Sequence, residues 1–350
     1  MPTLWLFDIE PHEQRYTSEW QKHLPPQLRK AMSASASSWD LQIISGIQTT
    51  GNTTPGAFLN FAESTTYKAA QIAKFSAIVQ AGGVTDGDRL LFTDAWHLGV
   101  IQCRYMADLL DIDLSIDVMW HAGSYDPWDI LARKITDQTW SRAFEVAVYC
   151  AADRNYFATS FHRDMFLDAV GAAEPQKAQI VGWPMEYLGS FFQGRREGTT
   201  KDTILFPHRI SPEKQPEIMQ LLEPMLPEYR VCFAQEKSLT KQQYHEELAR
   251  SVAVFSANQQ ETLGIGVYEG LLNGAVPIVP HRLSYPEVYP TLGYPSDWTT
   301  SLAAAGANAA NLIDFIHRQI SDYTAHSLAG RAQWASKFFN GSELYASVLR

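Results

Sequence analysis

Short apolar runs alternate with helix-spaced stretches along most of the 350 residues. The runs "TLWLFDI" (3–9), "WDLQIISG" (39–46), "DRLLFTDAW" (88–96), "LSIDVMWH" (114–121) and "AQIVGWP" (178–184) read as strands. Between them, "TTYKAAQIAKFSAIVQAGG" (65–83) and "GVIQCRYMADLLDI" (99–112) carry helical spacing, and the first stops at glycine. "SRAFEVAVYCAA" (141–152) reads as a helix or a mixed segment, and "YFATSFHRDMFLDAVG" (156–171) as strand running into helix. A polar stretch, "FFQGRREGTTKD" (191–202), interrupts the pattern. It then restarts, with strands at 203–208, 229–235, 252–257 and 276–281, helices at 212–226, 240–251 and 264–274, and a mostly helical end over 301–350.

Two successive strand–helix alternations joined by a polar linker predict an α/β chain with two Rossmann-like, doubly wound domains. The expected division is 1–185, a linker at 186–202, and a second domain over 203–330. Ligands of such sheets bind at the carboxyl ends of the strands, so the residues that follow each strand are where chemistry is sought.

Composition narrows the classes. The hydrophobic content of 45% supports a large core, and a formal charge of −10 opposes diffuse binding to nucleic acid or anionic membrane. Cys103, Cys150 and Cys232 are few and widely spaced. They form neither a disulfide framework nor a zinc pattern, so a cytoplasmic protein is expected. The start "MPTLWLFDIEP" lacks the form of a signal peptide, and no run of about twenty apolar residues is present. The acidic pairs in "DGD" (86–88) and "DID" (111–113) fall in a turn and at a helix–strand join, so no metal site is expected from them.

Two stretches carry chemistry. In "FPHRISPEKQP" (206–216), Arg209 follows a strand and Lys214 opens the next helix. Two cations beside a helix N-terminus suit a diphosphate; taken alone, they also fit a solvated loop. In "QQETLGIGVYEGLLNGAVPIVPH" (259–281), Gly264 and Gly266 permit a tight turn, and the N–H groups of 262–266 are expected to face the ligand. Glu261 precedes the helix, and Glu269 lies about one and a half turns inside it at ~3.6 residues per turn. A carboxylate there can accept two ribose hydroxyls. The plainer reading is a helix capped by Thr262 with Glu269 exposed.

Taken together these residues resemble the C-terminal half of GT-B glycosyltransferases of family four. The family has Gly-Arg-hydrophobic, two residues and Glu-Lys-Gly; this chain has "HRISPEKQ" (208–215), with His208 and Gln215 in place of the glycines. The family's Ser, Glu-x-Phe-Gly and second Glu correspond to Ser256, "ETLGI" (261–265) and Glu269, with Leu263 replacing the aromatic residue. "GAVPIV" (274–279) and "SYPEVY" (284–289) continue the match, which covers 203 to 289. In the N-terminal half, His121 in "IDVMWHAGSY" (116–125) resembles the family's strand-end histidine, and "FATSFHRDMF" and "IVGWPMEY" resemble its domain crossover. The family's Gly-Gly turn after the first strand is absent; "DIEPHEQRY" (8–16) stands there, where Arg15 could substitute as a phosphate contact or be a surface arginine.

The resemblance implies a GT-B architecture, two domains facing across a cleft, with 331–350 returning to the first. It implies sugar transfer from a nucleotide-diphosphate sugar, a UDP-sugar above others, with retention and without metal or other cofactor. Arg209 and Lys214 would stabilise the leaving diphosphate. Ser256, Thr262, Leu263, Gly264 and Ile265 would line the donor, Glu269 would hold its ribose, and Glu261 and His121 would touch the sugar. A nucleotide-sugar epimerase, a glycoside hydrolase and a non-catalytic sugar or nucleotide binder are the alternatives.

The acceptor would be a hydroxyl compound bound by the first domain, where Asp94, Trp96, His97, Trp120 and Asp126 are the candidates, with Asp129 a further aspartate. "AFLNF" (57–61) offers a further aromatic loop. This half is also similar to phage-encoded glycosyltransferases, some of which glycosylate hydroxymethylated DNA bases, so DNA and glycan or small-molecule acceptors both stay open. Residues 1–185 carry 14 Lys and Arg against 21 Asp and Glu, a balance of −7. DNA binding would need a local patch, for which Arg133, Lys134 and Arg142 are available.

Overall fold

The computed structural model describes residues 1–13, 15–35, 38–47, 59–171, 174–192, 201–236, 239–323 and 325–350. Two expected segments, the linker core at 193–200 and positions 57–58 of "AFLNF", lie outside the described residues.

Each alternating half forms one parallel sheet. In the first half β1 (Thr3–Phe7), β2 (Asp40–Ile44), β3 (Arg89–Phe92), β4 (Ser115–Met119), β5 (Arg154–Phe157) and β6 (Ala178–Ile180) line up as β2-β1-β3-β4-β5-β6. In the second half β7 (Thr203–Phe206), β8 (Arg230–Phe233), β9 (Ser251–Phe255), β10 (Val276–Pro280) and β11 (Gly293–Tyr294) line up as β11-β10-β9-β7-β8. Every pairing is parallel. Strands covered on both faces need apolar residues at successive positions. The fully buried β3 (RLLF), β7 (TILF) and β10 (VPIVP) meet that need.

The chain reverses its direction of sheet growth once in each sheet, between β1 and β3 and between β7 and β9. Loops leaving such a pair diverge and open a crevice at the strand ends. The chain divides into two units. One comprises Met1–Ala158, Arg163–Met185 and Asn340–Arg350, and the other Thr159–His162 and Glu186–Phe339. The first is built on an aromatic core that includes Phe7, Phe75, Phe92, Trp120, Phe157 and Phe166.

Several elements depart from the sequence reading, among them helix Tyr187–Phe192, which lies inside the expected linker. Helix Tyr16–Ala34 runs through Pro25 and Pro26, residues that normally break a helix by removing an N–H and crowding the preceding turn. Burial of Trp20, Leu24, Leu28 and Met32 at helical spacing carries it through. Strand β11 is two residues long and has no apolar run to announce it. At the chain end the return to the first unit falls at Asn340. Among the described residues no helix is long and apolar enough to cross a membrane.

Candidate functional site

The second unit's crevice is built where β7 and β9 part. After β7 the chain makes a 3-10 turn at Pro212–Lys214, and helix Pro216–Leu222 follows. Arg209 reaches the Glu213 carboxylate at 3.0 Å, and the Ser211 hydroxyl donates to the same oxygen at 2.7 Å. Glu213 is buried while Arg209 is about one-third exposed, so the guanidinium is oriented and partly open to solvent. Lys214 is buried. Its ammonium donates to the Gln260 carbonyl and to that residue's amide oxygen at 3.2 Å, and lies 3.5 Å from Glu261. Burial lowers the Lys214 pKa, and Glu261 pulls it back up.

Glu261 holds the centre. One carboxylate oxygen accepts the backbone N–H groups of Thr262, Leu263 and Gly264 at 3.1, 3.3 and 3.0 Å. The other faces Asn258 Nδ2 at 3.3 Å and Lys214 at 3.5 Å. Burial pushes this carboxyl up, but Lys214, His208 and the amides hold it below the usual range. The amides expected to face a ligand therefore already cradle an anion, and it is the chain's own. An incoming phosphate takes that place only if Glu261 moves.

Gly264 caps helix Ile265–Leu272 with φ +85°, and a Cβ there would sit 3.1 Å from the Tyr285 ring. Thr262 does not cap this helix; its carbonyl accepts the Thr159 hydroxyl at 2.9 Å. Ile265 is half-buried and Leu263 buried. Ser256 is fully buried, its hydroxyl 2.8 Å from that of Tyr285, so it braces the loop from beneath. Glu269 is half-buried and accepts the Tyr244 hydroxyl at 2.8 Å; burial raises its pKa to about 7. Gln215 has φ +51°, which explains why glycine suits that position. Its side-chain amide donates to the Ala257 and Thr299 carbonyls at 2.5 and 2.8 Å, which offsets the strain.

The first-unit candidates divide. His121 is half-buried in a box of Tyr16, Trp20 and Trp183. Its Nε2 donates to the Thr93 carbonyl at 2.7 Å, and Nδ1 accepts the Tyr16 hydroxyl at 2.8 Å. Burial lowers its pKa, so the ring is neutral. Asp94 pairs with Lys68 at 2.6 Å; burial pushes the carboxyl up, but Lys68 and His121 bring it to about 2. Trp96 is half-buried against Phe144 and Trp140.

The others are committed to the interior. His97 is buried, with Nε2 3.1 Å from Gln71 Oε1 and Nδ1 accepting the Gly99 N–H at 2.9 Å. Trp120 is in the core and donates to Asn155 at 2.8 Å. Asp126 and Asp129 are buried, and accept the N–H groups of Trp128 and Leu131.

The loop after β1 is tied down by its own carboxylates. Asp8 accepts the Ser45 and Tyr67 hydroxyls, both at 2.6 Å, and Glu10 accepts that of Ser64. The Arg15 guanidinium lies over the Tyr16 ring at 5.8 Å. In "DGD", Asp88 serves the fold, taking the Thr3 N–H and the Trp5 indole N–H. Of the proposed DNA-facing cations, Arg142 is 3.4 Å from the buried Glu145, and Arg133 donates to the Trp128 carbonyl.

No protein-family model matches the chain, and no curated protein matches it in sequence. Its fold is similar to that of sucrose-phosphate synthase from Thermosynechococcus elongatus, with a TM-score of 0.60 and 12% identity over 100% of this chain and 99% of the other. It is also similar to the lipopolysaccharide outer core galactosyltransferase WaaB, with a TM-score of 0.57 and 10% identity over 99% and 100%. HepE from Anabaena, solved with UDP-glucose, gives a TM-score of 0.53 and 10% identity over 100% and 99%. The fold is GT-B. Within this GT-B chain the Arg209, Lys214, Glu261 and Glu269 pattern falls at the second sheet's reversal point. The sequence reading gave no role to Glu213, Tyr244, Asn258 or Gln260; of these, Glu213 stands at the Glu of the resembled Glu-Lys step, and Asn258 and Gln260 lie within three residues of Glu261.

Proposed function

We propose that the protein is a nucleotide-sugar-dependent glycosyltransferase whose second unit binds the donor. The observation that carries the reading is the anion cradle. Three backbone amides, Lys214 and Asn258 converge on one carboxylate position, with Arg209 nearby on the same loop. Amides and a lysine fixed around one anion suit a group on which negative charge grows, as on a departing diphosphate. In this reading Glu269 accepts the ribose hydroxyls in place of Tyr244, Glu261 turns from the amides to the sugar, and His121 approaches the sugar from the first unit.

A UDP-sugar is the donor of choice, a reading supported by the UDP-glucose complex of the HepE neighbour. Transfer to a hydroxyl acceptor with retention, without a metal, completes the proposal. Asp94, with Trp96 beside it, is the first-unit candidate for the acceptor; a glycan, a small molecule or hydroxymethylated DNA is its class. A mobility shift with duplex DNA that weakens with salt selects the last, and none at low salt removes it.

The test is to incubate the protein with a panel of nucleotide sugars and follow nucleoside diphosphate release. Slow release from one donor, lost in Lys214→Ala, is expected. Conversion of the sugar to an epimer without release would replace transfer with epimerisation.

A further inference from the structure

Arg282 follows β10, the strand beside β9 in the second sheet. It is half-buried, and four backbone carbonyls hold its guanidinium. Nε donates to Asn258 at 2.8 Å, Nη1 to Ser296 at 2.8 Å, and Nη2 to Ala257 and Thr299 at 2.6 and 3.2 Å. Ala257 and Asn258 belong to the loop after β9 that carries Glu261. Asn258 stands between the cation and the anion cradle. Its carbonyl takes Arg282, and its side-chain nitrogen lies 3.3 Å from the Glu261 carboxylate.

The charge of Arg282 is unmatched. Arg209 has Glu213 and Lys214 has Glu261, but among the described residues no carboxylate lies within 4.0 Å of the Arg282 guanidinium. Burial lowers its pKa, and no carboxylate is among the groups that raise it. A cation taken from water without a counter-charge is costly. Bracing the loop does not call for one. The neutral Gln215 amide donates to the same Ala257 and Thr299 carbonyls, and the Gln259 amide to that of Thr300 at 3.1 Å. The charge also reaches the cradle. Burial and Glu261 raise the pKa of Tyr285, while the Ser256 hydroxyl and Arg282 lower it, so the two opposite charges act on one side chain.

We propose that Arg282 is the third cation of the donor site, a positioning residue that supplies the surplus positive charge a diphosphate matches without touching it. The proposal rests on the donor-site reading above. With Glu261 on the amides, the other two cations are each paired with a carboxylate. When a diphosphate takes that place, Lys214 is released from Glu261, but a diphosphate carries more than one negative charge. Arg282, fixed behind the loop, supplies the remainder through space and holds the 257–258 carbonyls away from the anion.

The experiment titrates wild type, Arg282→Gln and Arg282→Lys calorimetrically with uridine monophosphate (UMP) and UDP. Glutamine keeps N–H donors for the carbonyls and removes the charge; lysine keeps the charge and loses the planar fork. UDP is expected to weaken about tenfold in Arg282→Gln and UMP only about threefold, while both stay within about threefold of wild type in Arg282→Lys. Equal losses of UMP and UDP in Arg282→Gln overturn the proposal, since they assign Arg282 to the base or the fold. Equal losses in the two variants also overturn it, because the hydrogen bonds then matter and the charge does not. So does an unchanged UDP affinity in Arg282→Gln. Should Arg282→Gln not fold, Arg282→Lys decides: UDP affinity within about threefold upholds the charge, and a loss of about tenfold overturns it. Wild type that binds UDP beside unaffected variants refutes this proposal alone; wild type that binds neither nucleotide refutes the donor site as well.

Discussion

At the scale of single residues, two cations and two carboxylates set the chemistry of the second unit's crevice. Lys214 is buried and opposite Glu261, and Arg209 is about one-third exposed and braced by Glu213. Replacing either by alanine is expected to lower kcat by about 100-fold or more, the scale on which a fixed group aimed at growing charge acts. Far-ultraviolet circular dichroism should be unchanged for Arg209→Ala. Near-normal rates in both variants would break the diphosphate assignment.

Glu261 yields a less obvious expectation. It fills the amides that a phosphate needs, so Glu261→Ala should bind UDP as tightly as wild type or a few-fold tighter, roughly the gain from losing one competing anion, while turnover falls. UDP binding weakened tenfold would show that Glu261 does not compete with phosphate.

Glu269 sets a pH dependence. Its pKa is raised to about 7, so in the folded protein it is neutral below that and charged above. Donor affinity should rise as pH increases from 6 to 8, and Glu269→Gln should flatten that profile. The folded state holds this proton more tightly than the unfolded chain, so the stability it contributes is present at low pH and lost as pH rises through about 7. Glu269→Gln should therefore raise the Tm at pH 8, by about 2–4 °C for each ~1 kcal/mol, and change it little at pH 5. Equal shifts at both would place the pKa elsewhere.

At the scale of elements, helix Ile265–Leu272 and the turn before it depend on one glycine. Gly264→Ala imposes a left-handed residue with a Cβ 3.1 Å from Tyr285. It should destabilise by about 1–2 kcal/mol and weaken UDP binding; calorimetric melting and titration check both. This glycine, the helix behind it and its carboxylates were legible because local spacing encodes them. What Glu261 does there was not, because a side chain's choice between ligand and backbone is made by packing. Ser256 shows the same limit, matched in position yet sealed beneath Tyr285. Helix Tyr16–Ala34 was illegible for another reason, since Pro25 and Pro26 argue against a helix that burial of Trp20, Leu24 and Leu28 sustains.

At the scale of the whole molecule, the doubled α/β alternation was enough to give the fold class, since parallel strands covered on both faces must be apolar throughout. The route of the chain end was less legible. Helix Ser342–Val348 belongs to the first unit, where Arg89 and Arg154 donate to the Ser347 carbonyl at 3.0 and 2.6 Å, and the Tyr156 hydroxyl meets that of Ser347 at 2.9 Å. No local pattern announces these contacts, which span more than 150 residues. Ending the chain at Phe339 should lower the Tm by about 5 °C or more, since it strips a polar partner from the buried Arg89 and the half-buried Arg154; an unchanged Tm would show the helix to be dispensable.

The central claim is that the reversal point of the second sheet is a diphosphate site now held by Glu261. A crystal structure with UDP tests it directly. The account predicts a phosphate oxygen within hydrogen-bond distance of Lys214 Nζ and of the 262–264 amides, with the Glu261 carboxylate displaced from them. UDP bound elsewhere, or Glu261 still on those amides beside bound UDP, would contradict it.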